Sequence, residues 1–414
     1  MATGIPTLGD IPLLLPSSEP SSGAAFELNK PAHADANVPI GPWEVEVRKG
    51  LKLVVARGGD DRSYEDAFRA GLLHAQQGLD LFCARGAGDL SITAFDEQHV
   101  AWWTEPRLVV RVVSLAPMAI RIGPVTLEVR DAEGNLVPPS PGPPVVWHES
   151  FRYFRLSQTS DDLFDAYRNA YLALESILSD IAPQYLKSNG KPGEGEGQWF
   201  ARALRAAGRI VPLTDFVPSG ATDAHEYLYD ELYKDMRSAM SHAKSGRKVL
   251  LPRDKSERQR VTDSLLRLVQ FYLKLVEAHL GMRRLGGAMS AVAFETMHTS
   301  LLDSMKVYAT DEESPHDSDG TDINPSGRPI VELAPVGAVD TSTPFLATKL
   351  LSAAGEDVAV LPFIRTVAGA GPKGEAWLTT ILEGRLILGT AAYFEALVGM
   401  RGINADQPKS RYSF

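Results

Sequence analysis

The sequence predicts an α+β protein in which a four-helix bundle is flanked by an N-terminal mostly-β module and a C-terminal mixed α/β region. Three observations carry this. Apolar residues alternate through much of residues 43–129, the period of a half-buried strand. The run Pro138-Pro-Ser-Pro-Gly-Pro-Pro144 then breaks the pattern, because so many prolines cannot join a central strand or a helix interior. Beyond it, four successive stretches ending near His279 carry apolar stripes at helical spacing, joined by short polar loops.

Length and composition bound the possibilities. A chain of 414 residues exceeds what one hydrophobic core usually organises, so two or three domains are expected. Apolar content of 44% and charged content of 23% are ordinary for a soluble globular protein. The single cysteine, Cys83, excludes an internal disulfide framework and fits a reducing compartment. There is neither a basic, apolar leader nor an apolar run of about 18 residues, so a cytoplasmic protein without a membrane partner is expected. A formal charge of −10 argues against non-specific coating of nucleic acid, although a local basic patch can still bind a polyanion.

Taken in order, residues 1–41 are rich in Pro, Ser, Ala and Gly and read as a poorly ordered arm. Residues 42–137 read as the mostly-β module: strands at Trp43–Val47 and Leu51–Val55, one helix from Ser63 with Phe68, Leu72, Ala75, Leu79 and Phe82 on its apolar side, then further strands. In the adjacent Trp102 and Trp103, one ring is expected in the core and the other at its rim. Residues 138–150 read as a linker. The bundle is assigned to 151–284. It opens with a short strand (Phe151–Leu156) and a helix capped by Ser160, whose stripe is Leu163, Tyr167, Tyr171, Leu174, Leu178 and Ile181. A short helix around Trp199 and Leu204 follows a Gly-rich loop. A third helix begins at Asp223, where Asp223-x-x-Glu226 reads as a capping box. A fourth carries Val261, Leu265, Leu268, Tyr272, Leu275 and Val276. Residues 285–414 read as mixed α/β. Strands are expected at Ile330–Leu333, Val358–Ile364 and Leu386–Leu388, a helix at Thr343–Ala354, and a mobile loop near 312–327.

The third helix is where chemistry concentrates. It carries Arg237-Ser-Ala-Met-Ser-His242, followed by Lys244, Arg247, Lys248 and Arg253. Between Arg237 and Arg260 stand eight Lys or Arg against two acids, a local charge of +6. A guanidinium can clamp a phosphate and stabilise the charge that develops on it. An imidazole titrating near neutrality can move a proton to or from a ribose hydroxyl. The pair therefore suits phosphodiester cleavage, with no metal or other cofactor required. Five residues advance a side chain about 140° around an ideal helix, so Arg237 and His242 share a face only if the helix loosens or a second copy completes the site. The competing reading makes Arg237 a surface residue that offsets the helix dipole, with His242 on the last carbonyls.

The third helix resembles the signature of the HEPN superfamily, helical domains found in RNases of toxin–antitoxin, abortive-infection and CRISPR systems, whose motif is Arg-x4-6-His. The first helix, Asp165-Ala-Tyr-Arg168-Asn169-Ala-Tyr-Leu-Ala-Leu174-Glu175, is similar to the opening helix of the ApeA-like branch. Residues Arg155 to Arg168 also resemble methylamine-utilisation accessory proteins of the J type. The resemblance covers roughly 150–281. It implies a homodimeric, metal-independent endoribonuclease acting in defence or stress response, with a regulatory partner or trigger. Arg237 would hold the scissile phosphate, and His242 would act in proton transfer or positioning. Ser238, Lys244, Arg247 and Lys248 would contact the RNA, with Arg202, Arg205 and Arg209 widening the patch. Ser238 departs from the Asn, Asp or His that often follows the arginine in active members. Many HEPN domains are non-catalytic, so a dimerising scaffold that binds RNA or protein is the alternative.

Other patterns carry less. His225-Glu226 and His148-Glu149 lack a second histidine four residues after the first, and one cysteine cannot build a Cys-rich zinc site. Asp317-Ser-Asp319-Gly320-Thr-Asp322 lacks the terminal Glu of a calcium loop. Gly369-Ala-Gly371-Pro-Lys373-Gly374 has no Gly-Lys-Ser/Thr, and no nucleophile elbow occurs.

Overall fold

The alternating apolar residues of the N-terminal third do form strands, and more of the chain joins them than periodicity suggests. The structure, a computed structural model, describes residues 4–16, 21–60, 63–86, 88–104, 106–120, 129–130, 133–137, 146–241, 255–282, 289–404 except 318, 321, 323 and 325, 407–409, and 412. The chain divides into two units, one of Met1–Met118, Ser290–Gly402 and Ser413–Phe414, the other of Ala119–Met289 and Ile403–Tyr412. The N-terminal module and the C-terminal region, expected to be separate, thus belong mainly to one unit.

That unit is mixed α/β, built on a large 14-stranded sheet. Its N-terminal strands are β1 (Thr7–Leu8), β2 (Ile11–Pro12), β3 (Ser22–Glu27), β4 (Ala36–Ile40), β5 (Trp43–Val47), β6 (Leu53–Gly59), β7 (Gln98–Trp103) and β8 (Val109–Ile120). In the second unit, β9 (Val129–Arg130) and β10 (Leu136–Val137) pair antiparallel as a separate two-stranded sheet. The C-terminal strands are β11 (Lys306–Thr310), β12 (Ile330–Pro335), β13 (Leu346–Ala354), β14 (Ile364–Ala370), β15 (Ala376–Ile387) and β16 (Tyr393–Asn404). The order is β2-β1-β15-β14-β11-β12-β13-β16-β8-β7-β3-β6-β5-β4. The expected N-terminal arm therefore supplies four strands. β3 is almost wholly buried, because its small residues Gly23, Ala24 and Ala25 fit between β6 and β7.

Helix α1 (Tyr64–Ala84) lies against these strands as its stripe predicts. Ser63 caps it by accepting from the Asp66 amide, and Phe68, Leu72, Ala75, Leu79 and Phe82 are buried. Gly78 permits the close approach, since a Cβ there would fall 2.4 Å from Val45 Cγ1. Trp102 and Trp103 are both buried, so the expected division into a core ring and a rim ring does not hold.

Two C-terminal expectations need correction. Residues 346–354 form a strand, β13, where the Ala/Leu/Lys composition suggested a helix. Ala347, Lys349 and Leu351 are buried at strand period, and β13 pairs with β16 from Leu346–Arg401 to Ala354–Tyr393. Pairing over some fifty residues of separation overrides a local preference. The segment expected as a strand at 358–364 is instead a short helix, Gly355–Val358, and a turn, with β14 starting at Ile364. Helix Ala291–Ser304 ends on the buried ammonium of Lys349, which donates to the carbonyls of Leu302 (2.7 Å), Asp303 (3.2 Å) and Met305 (3.2 Å). The described residues of 312–327 contain no strand or helix but are tied by contacts such as Glu312–Arg328 at 3.2 Å.

The second unit is largely helical. Helices α2 (Ser150–Thr159), α3 (Leu163–Ile181) and α4 (Glu196–Ala207) come first. α5 (Ala224–Leu228), a π-helical segment (Tyr229–Arg237) and α6 (Ser238–Ser241) run on without a break. Then comes α7 (Lys255–Leu280). The first of these replaces the strand expected at 151–156. Phe151 and Phe154, three residues apart, both pack on the helical core, a spacing that fits a helix face. Asp162, rather than Ser160, caps α3 by accepting from the Asp165 amide at 2.8 Å. The stripes of α3 and α7 are buried as expected, save Ile181, which is half-buried, and they meet Phe200, Leu204, Leu232 and Met236 in one core. The expected linker lies mostly outside the described residues, as 138–145 are not described.

Candidate functional site around Arg237

The helix holding Arg237 starts as the sequence indicates, with Asp223 accepting from the Glu226 amide at 3.0 Å. Its middle is not α-helical. From Tyr229 to Arg237 the backbone is wound as a π-helix, whose i→i+5 bonds widen the turn and often mark functional sites. Along it, side chains at every fourth residue form a column. The Tyr229 and Tyr233 rings stack at 5.4 Å with their planes 14° apart, and the Arg237 guanidinium lies 5.0 Å from the Tyr233 ring centre. The π-helical winding runs through Arg237, and Ser238–Ser241 returns to ordinary α-helix; His242 lies outside the described residues.

Arg237 is neither buried nor free. Its side chain is 32% exposed, and Nη2 donates to Glu196 Oε2 at 2.6 Å. Glu196 is the first residue of α4. A second ring, Tyr171 of α3, has its centre 6.0 Å from the guanidinium. Beneath both tyrosines lies the fully buried Phe200, 5.5 Å from Tyr233 and 5.7 Å from Tyr171. Aromatic faces attract a guanidinium by about 0.5–1 kcal/mol each at partly exposed sites, so the rings orient Arg237 from within while Glu196 holds it from outside.

The electrostatics around Arg237 are predominantly acidic. Burial pushes the Glu175 carboxyl above its ordinary range, against the pull of Arg237, and Glu196 adds to the rise. Burial likewise drives the Tyr171 phenol far up, with Glu175 contributing and Arg237 opposing. The Tyr171 hydroxyl has no hydrogen-bond partner among the described residues. Next to this group lies a cavity of about 660 Å³ lined by Glu149, Glu175, Asp180 and Glu196 together with His148 and Trp199. No lysine or arginine stands among its described lining residues.

The basic patch expected from composition is only partly available. Arg260 pairs with Asp235 at 2.8 Å, and Arg258 is buried with Nη2 3.4 Å from the Tyr412 carbonyl. Arg202, expected to widen the patch, pairs with Glu194 at 2.5 Å, donates to the Pro183 carbonyl at 2.7 Å and lies over the Tyr185 ring. Ser238 turns its hydroxyl back to its own helix, donating to the Tyr233 carbonyl at 3.4 Å. His242, Lys244, Arg247 and Lys248 lie outside the described residues.

Glu196, Tyr171 and Tyr233 were not legible as partners of Arg237. The spacing Tyr229-x3-Tyr233-x3-Arg237 was the one available signal, whereas Glu196 and Tyr171 arrive from other helices. No group of three or more His, Cys, Asp or Glu among the described residues could hold a metal ion. Among the same residues, no helix is long and apolar enough to cross a membrane. No known protein family matches the chain, and neither a curated protein nor a solved structure shows significant similarity to it.

Proposed function

We propose that the helical unit is a HEPN-like four-helix bundle that cleaves RNA phosphodiesters without a metal, as a homodimer, in defence or stress response. The observation that carries this reading is the state of Arg237: a partly exposed guanidinium, oriented by two tyrosine rings and ion-paired with a largely exposed carboxylate, Glu196. Exposed ion pairs contribute about 0–1 kcal/mol, so a phosphate can take the place of Glu196 at little cost. Arg237 would then bind a non-bridging phosphate oxygen and offset charge as the neighbouring ribose 2′-oxygen attacks phosphorus. His242 would move a proton in that step. The bond to the 5′-oxygen breaks, the 5′-hydroxyl leaves with a proton, and a 2′,3′-cyclic phosphate remains on the other fragment.

The acid-lined cavity beside Arg237 favours a second reading, a non-catalytic scaffold, because carboxylates at that distance repel a polyanion. RNA cleavage in EDTA separates the two. Purified wild type is compared with Arg237→Ala and His242→Ala on total RNA and on tRNA, with product ends analysed. Cleavage by wild type alone, leaving cyclic-phosphate or 3′-phosphate ends, is the expected result. Equal activity in all three proteins would refute the site, and silence in all three would favour the scaffold.

A further inference from the structure

Taking Arg237 as a phosphate-binding group, we infer that Glu196 is a built-in occupant of its anion seat and sets when the guanidinium is open to RNA. The Nη2 that donates to Glu196 Oε2 at 2.6 Å is a donor that a phosphate oxygen would use. Glu196 is not needed to cap its own helix, since the Gln198 side chain accepts from the Gly195 amide at 3.2 Å. Nor does burial hold it in place, since 65% of its side chain is exposed. Its carboxylate can therefore swing away while Arg237 stays put against Tyr233 and Tyr171.

The neighbouring charges make the exchange selective. Lys234, on the same helix, is paired with Asp230 at 2.6 Å, and Arg202 on α4 with Glu194. Glu196 thus has Arg237 as its cation in this arrangement, and Glu175 is a second acid whose charge Arg237 also feels. A lone anion gains little by displacing Glu196. A strand of RNA that touches several cationic groups at once gains more, because its further contacts help hold the phosphate in the seat.

The test is a double-mutant cycle on the full chain, read by fluorescence anisotropy with a labelled single-stranded 2′-O-methyl RNA 12-mer that cannot be cleaved. Wild type, Glu196→Gln, Arg237→Ala and the double variant are titrated at several salt concentrations. Glu196→Gln is expected to tighten binding by up to about fivefold, the worth of an exposed ion pair. It should also steepen the salt dependence by about 0.7 in log–log slope, one phosphate contact. Both changes should vanish in the Arg237→Ala background. A gain that persists in that background would reflect general charge and overturn the inference. No gain from Glu196→Gln, with weaker binding by Arg237→Ala, would also overturn it while leaving Arg237 as an RNA-binding residue. Arg237→Ala without effect in either background would instead refute the role of Arg237 itself.

Discussion

Gly197, the second residue of α4, is the point at which the support for Arg237 is most easily disturbed. A Cβ built there falls 2.8 Å from Tyr229 Oη and 3.0 Å and 3.4 Å from Cε1 and Cζ of Tyr233. Favourable carbon–carbon contact begins near 3.5 Å, so Gly197→Ala forces the Tyr233 ring outward by several tenths of an ångström. That ring cannot yield freely, because it is stacked on Tyr229 and Phe200 and carries the Arg237 guanidinium. Overpacking of this kind costs about 1–3 kcal/mol. Alanine returns at most about 1 kcal/mol through its helix preference. The expected net effect is a loss of about 1 kcal/mol, read as a lower urea midpoint with an unchanged slope. Gly195→Ser is the control. A Cβ at 195 meets only Gln198 Oε1, at 3.9 Å, and serine is a slightly better N-cap than glycine. If Gly197→Ala instead raised stability by about 1 kcal/mol, the tyrosines would have to move without resistance, and the idea of a rigid column beneath Arg237 would fail.

Two further outcomes follow from ionisable groups in the same unit. Arg267 donates through Nε and Nη2 to the two oxygens of Glu231, whose side chain is only 10% exposed. Arg267→Ala leaves that carboxylate nearly buried and without its guanidinium. The expected loss is about 2–3 kcal/mol, below the range for fully buried pairs because Arg267 is a quarter exposed. Adding Glu231→Gln should recover part of it, and a loss under about 0.5 kcal/mol would mean that the pair acts as a surface contact. For Glu175, burial raises the carboxyl in the folded chain, so the native state holds the proton more tightly than the unfolded state does. Stability then falls as pH rises from about 4.5, the ordinary value, through the raised native value. Glu175→Gln should remove this slope and raise Tm at neutral pH. A Tm difference that stays constant from pH 4 to 8 would contradict the assignment.

What the sequence determined by itself is the set of elements fixed by short-range rules. Ser63 and Asp223 announce their helices because an N-cap oxygen reaches an amide two or three residues along the chain. The stripes of α3 and α7 announce their buried faces because 3.6-residue periodicity and burial are one statement about a helix surface. Arg237 stood out for its charge and its spacing from His242. Everything that needed a distant partner lay beyond reach. β13 is a strand because β16 pairs with it, and β3 is a strand because β6 and β7 enclose its small residues. The π-helical turn, the tyrosine rings and Glu196 around Arg237 likewise come from three helices whose mutual placement no local rule encodes. The sequence singled out Arg237 by its charge and its spacing from His242. The packing of helices against one another decided which groups surround Arg237, because ion pairs and ring contacts are set by distance in space, not separation along the chain.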